Sequence, residues 1–63
     1  MKINITKMLV IMGEKGLTVS NLANLSGISR QTITCIKTGK TCSHITAGKI
    51  AKALDIPLME LIE

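Results

Sequence analysis

The central stretch from Leu17 to Lys40, LTVSNLANLSGISRQTITCIKTGK, holds two helix starts and two helix stops in quick succession. Thr18 and Ser29 are side chains that accept a hydrogen bond from the open end of a helix. Gly27 and Gly39 follow them and supply the left-handed backbone in which helices end. Two short helices joined by a tight glycine-containing turn fit between these marks, which is the helix-turn-helix unit. Ala23 sets a small side chain where the two helices cross. Ile28 in the turn and Ile33 and Ile36 on the second helix are spaced to bury against the first. Any one of these residues is weak evidence. In register, they specify a helix-turn-helix over about residues 18–38.

The flanks read as helices too. From about Ile5 to Glu14, Met8, Ile11 and Met12 fall on one helical stripe, while Leu9 and Val10 widen the apolar surface beyond it. Such a helix is deeply buried or meets a second partner. Lys15-Gly16 closes it. Within the second helix, Leu22, Ala23 and Leu25 are expected on the apolar side. After a turn at Thr41, Cys42 and Ser43, Ser43 caps a fourth helix with Ile50, Ala51 and Leu54 inward. Gly48 inside that helix suggests close backbone packing. Asp55-Ile56-Pro57 breaks the chain, and Pro57 suits the first turn of a last helix carrying Leu58, Leu61 and Ile62. The β-branched content of the third segment favours a strand, and burial of Ile33 and Ile36 is expected to override it. The fold class is therefore all-α, with five short helices and no strand.

Size and composition bound the rest. Sixty-three residues make one domain, 1–63, with a small core. Hydrophobic residues are 46% of the chain and none is aromatic, so the core is aliphatic and methionine. The formal net charge is +4, and its distribution is one-sided. Lys15, Arg30, Lys37, Lys40, Lys49 and Lys52 lie between Lys15 and Leu54 with no acid among them. A purely solubilising surface mixes signs, so this one points to a polyanion. Base stacking needs aromatics, which disfavours single-stranded nucleic acid and RNA. The longest apolar run, Met8 to Met12, is far below the ~20 residues of a membrane span. No membrane association and a cytoplasmic location are expected. Cys35, Cys42 and His44 offer three candidate metal ligands without a closely spaced cysteine pair, so neither zinc nor a disulfide scaffold is expected. No cofactor, small-molecule ligand or enzymatic activity is expected. A nucleophile–base pair, paired carboxylates and a phosphate-cradling glycine loop are all missing.

The sequence resembles the Cro/XRE-type, lambda-repressor-like helix-turn-helix family over nearly its whole length. The resemblance rests on Leu17-Thr18, Leu22-Ala23, Gly27-Ile28-Ser29-Arg30, Thr32-Ile33, Gly39-Lys40, Lys49 to Leu54 and Pro57 to Leu61. It implies a compact five-helix domain that binds double-stranded DNA, commonly as a homodimer, with the third helix in the major groove. Mapped residue by residue, Arg30, Gln31, Thr34 and Cys35 would meet bases. Arginine pairs well with guanine and glutamine with adenine, and a threonine can pack on a thymine methyl. Thr18, Ser20, Thr32, Lys37, Thr38 and Lys40 would meet phosphates. Three features depart from the pattern. Val19 stands where the family often has a phosphate-clamping Gln, Met12 stands where many members carry a basic residue, and the loop from Thr41 to Ser43 is about a residue shorter than usual and lacks its common Pro.

The leading expectation is a sequence-specific transcription regulator, a small repressor. The alternative is a protein-interaction module on the same fold, an antitoxin or adaptor, which Val19 and Met12 would favour. The acid-free middle and Arg30-Gln31 argue against that alternative.

Overall fold

The computed structural model describes residues 1–63 and contains five helices. α1 spans Ile5–Lys15. Asn4 caps it by accepting the Lys7 amide at 3.1 Å, and Gly16 ends it with φ of 67°. α2 spans Val19–Ser26 behind a reciprocal cap. The Thr18 hydroxyl accepts the Asn21 amide at 3.1 Å, and the Asn21 side chain accepts the Thr18 amide at 3.0 Å. Gly27, with φ of 73°, turns the chain into α3, Arg30–Lys37. Ser29 caps α3 by accepting the Thr32 amide at 3.2 Å. Ser43 does the same for α4, His44–Ala53, through Thr46. Pro57 precedes α5, Leu58–Leu61. No helix is long and apolar enough to cross a membrane.

The core is one cluster: Ile3, Met8, Met12, Leu22, Ile33, Ile36, Ala47, Ile50, Ala51, Leu54 and Leu61. It holds no buried polar residue, and every buried side-chain polar atom has a partner. α2 packs on both α3 and α4, and α4 packs on α5. Ile33 and Ile36 are 0% and 2% exposed. Burying each contributes roughly 1.5–3 kcal/mol. Helix-propensity losses for β-branched residues run to only about 0.7 kcal/mol each. Burial therefore decides in favour of the helix at α3, as the spacing of the two isoleucines predicts.

Four sequence expectations are corrected. Leu25 is 61% exposed rather than inward. The inward stripe of α2 is Val19, Leu22, Ala23 and Ser26, and Leu25 lies one residue off it. Met12 is 4% exposed and belongs to the core, so no basic residue has been lost from a surface position there. Gly48 is not pressed by a neighbouring backbone, because a Cβ added there would meet nothing within 4 Å. Residues 41–43 form no helical or hydrogen-bonded turn; Cys42 instead lies against the amino-terminal residue. The Cys42 amide donates to the Met1 carbonyl at 2.9 Å, and the Met1 amine donates to the Cys42 carbonyl at 3.0 Å.

One feature has no counterpart in the helical reading. Ile3 and Ile62 form an isolated antiparallel bridge. The Asn4 amide donates to the Leu61 carbonyl at 2.8 Å, and the Glu63 amide to the Lys2 carbonyl at 3.0 Å. This short ladder carries Ile3 into the core at 1% exposure. Beside it, Lys7 and Glu60 form the only ion pair in the structure, at 2.9 Å.

Candidate nucleic-acid interface

α3 is short, and its two faces are sharply divided. With about 100° between successive residues, burial of Ile33 and Ile36 directs Gln31, Thr34, Cys35 and Thr38 most nearly away from the core. Arg30 and Thr32 flank that stripe on opposite sides. Arg30, Gln31, Thr34, Lys37 and Thr38 are exposed, and Cys35 is half-buried. The structure thus brings Arg30, Gln31, Thr34 and Cys35 onto the outward half of one helix. Cys35 sits lowest among them, and its thiol is free.

The start of α3 is held firmly. Ser29 both accepts the Thr32 amide and donates its hydroxyl to Thr32 Oγ1 at 2.8 Å. The Thr32 hydroxyl hydrogen is not used in either bond and can serve an outside acceptor. Thr18 is similar, since its hydroxyl accepts the Asn21 amide and keeps its own hydrogen free. Thr38 differs. Its hydroxyl donates to the Cys35 carbonyl at 2.6 Å, so as it stands it offers only lone pairs. It would have to rotate before donating to a phosphate. Ser20 is half-buried, whereas Lys37 and Lys40 are exposed.

The electrostatics favour an anion. Acidic residues in the first turn of a helix are worth about 0.3–1 kcal/mol, yet α1, α2, α3 and α4 have none there. Arg30, Lys37 and Lys40 have no carboxylate partner, as Lys7–Glu60 is the only ion pair. The first turns of α2 and α3 therefore carry no acid, and α3 has an unpaired cation at its start, Arg30, and another in its last turn, Lys37. Such helix ends readily take phosphate oxygens. Val19, half-buried and packed on the core, adds no polar group to this surface. No cluster of three or more His, Cys, Asp or Glu residues gathers anywhere on the chain.

A family model described as the Cro/C1-type helix-turn-helix DNA-binding domain matches residues 7–63. Among solved structures, the chain is similar to the restriction-modification controller protein C.AhdI from Aeromonas hydrophila. The two share 32% sequence identity and superpose with a TM-score of 0.82, covering 89% of this chain and 86% of that one. No curated protein matches the sequence.

Proposed function

The chain belongs to the Cro/C1-type helix-turn-helix DNA-binding domain family, and from that premise we propose that it is a small sequence-specific repressor that reads duplex DNA as a homodimer. α3 enters the major groove with Gln31 and Thr34 centred on the base edges and Arg30 and Cys35 beside them. Arg30 pairs with guanine and Gln31 with adenine. Thr18, Ser20, Thr32, Lys37, Lys40 and a rotated Thr38 take the phosphates. The observation that carries this reading is the outward half of α3. It is polar and exposed on a helix anchored by two buried isoleucines, and no acid stands near its start. The similar solved protein is a controller by its description, which supports a regulatory role.

The adaptor reading loses one of its two supports, because Met12 is a core residue. The deciding experiment is fluorescence anisotropy with duplex DNA from upstream of the protein's own gene and a shuffled duplex, across a salt series. Wild type is expected to prefer the native duplex. The Arg30→Ala/Gln31→Ala variant is expected to lose that preference while keeping residual, salt-sensitive binding. Absence of binding to either duplex at low salt would overturn the proposal.

A further inference from the structure

α2 and α4 pack directly on each other. The seam between the end of α2 and the later turns of α4 is a shallow groove lined by Leu25, Ser26, Lys49, Lys52 and Ala53. Leu25 is 61% exposed and shares the groove with the half-buried Ala53. Lys49 and Lys52 are exposed, and neither has a carboxylate partner. The acid nearest to them in sequence, Asp55, lines the adjoining depression with Lys52 but does not pair with it. The groove therefore combines an exposed apolar side chain with two cations that nothing neutralises.

This combination narrows the choice of occupant. Phosphate oxygens would satisfy the lysines but bury no apolar surface, so Leu25 would stay in water. The groove is also set apart from the proposed DNA surface. Thr18 and Ser20 lie at the start of α2 and Leu25 near its end, roughly 10 Å from Thr18 along the axis. None of the residues assigned to bases or phosphates lines the groove. A purely apolar partner would cover Leu25 and strand two ammonium groups away from water, which is costly. An acidic amphipathic helix meets both demands. Lys49 and Lys52 are three residues apart on α4, a rise of about 4.5 Å. Carboxylates three or four residues apart on a second helix rise by about 4.5–6 Å. A leucine on the same face would then reach Leu25, in the manner of a helix laid into a groove.

We propose that this groove docks another protein through an acidic amphipathic helix. A leucine of that helix seats against Leu25 and Ala53, and its carboxylates meet Lys49 and Lys52. The apolar contact supplies affinity, and the exposed charges set partner and register. Docking here uses neither the outward half of α3 nor the start of α2.

The probe is a labelled helical peptide of alanine, leucine and glutamate, read by fluorescence anisotropy at physiological salt. Its leucines form one stripe, with glutamates three and four residues apart beside it. Two control peptides carry lysine for glutamate or serine for leucine. Wild type is expected to bind the first peptide roughly tenfold or more tighter than either control. Leu25→Ser and Lys49→Glu/Lys52→Glu are all at exposed positions, with folding checked by circular dichroism. Each is expected to weaken that binding by roughly tenfold. The reversed-charge variant is expected to take up the lysine peptide instead. Lys2→Glu/Lys15→Glu makes the same change in net charge at exposed positions outside the groove and is expected to keep the wild-type affinity. The docking site is overturned if wild type does not prefer the first peptide, or if either groove variant binds it as wild type does. Equal loss in Lys2→Glu/Lys15→Glu would overturn it too, since net charge alone would then explain the binding. So would a fall of about two in the slope of log K against log salt for duplex DNA with Lys49→Gln/Lys52→Gln, because the two lysines would then be phosphate contacts. The peptide needs no DNA, so its result is separate from that of the DNA titration.

Discussion

Two glycines of this chain make opposite demands on a side chain. Gly27 holds φ of 73°, where an L residue is disfavoured by roughly 1–2 kcal/mol. Gly48 lies inside α4, and an added Cβ would meet nothing within 4 Å. Gly48→Ala is therefore expected to stabilise the protein by about 1 kcal/mol, the helix-propensity difference, and Gly27→Ala to destabilise it by about 1–2 kcal/mol. Thermal melts of the two variants should move in opposite directions. Residues of the proposed DNA surface separate by another criterion. Lys37→Ala is expected to weaken all duplexes alike and to lower the slope of log K against log salt by about one. Gln31→Ala is expected to leave that slope alone and cost about 1–3 kcal/mol of discrimination at one base pair. The exposure of Gln31 and Lys37 was legible in the sequence, because Ile33 and Ile36 fix the buried face. Leu25 was not. Apolar spacing identifies a stripe, but which stripe faces inward on a short helix depends on where its neighbours pack.

At the level of elements, caps did most of the specifying. Thr18, Ser29 and Ser43 each bond the amide three residues on, where the sequence placed helix starts. Ser29 allows a sharp separation of stability from binding. Ser29→Ala is expected to cost about 1 kcal/mol in a denaturant titration. Ser29→Asp caps about as well as serine, so stability is expected to hold while DNA affinity falls, because a carboxylate then faces the phosphates. α5 depends on a different contact. The hydrogen bond from Lys7, reinforced by its charge, holds the Glu60 carboxyl below its usual range. A lowered folded pKa means that this contribution is present above the ordinary carboxylate range. It is lost as pH falls through the depressed value. The effect is small, since both side chains are exposed. Acid titrations of wild type and Glu60→Gln are expected to converge at low pH and to differ, in favour of wild type, near neutrality. The helices were readable because each carries its own start and stop. The Ile3–Ile62 bridge was not, because its two partners have almost the whole chain between them and neither carries a local mark.

At the level of the molecule, a domain of this length has a total stability of roughly 3–9 kcal/mol, at about 0.05–0.15 kcal/mol per residue. Ile3 is fully enclosed, and truncating such a side chain to alanine typically costs about 2–5 kcal/mol. Ile3→Ala is expected to remove a large share of the total, seen as a fall in the urea midpoint. This makes residues outside every helix as important to the fold as any within one. It also orders events in time. The pairing of Ile3 with Ile62 closes almost the longest loop available to the chain, and the entropy of closure rises with loop length. The helices and their mutual packing can assemble before that loop closes. Ile3→Ala is accordingly expected to leave the refolding limb of a chevron plot nearly unchanged and to raise the unfolding limb. The two ends would be the last parts to arrive and the first to leave.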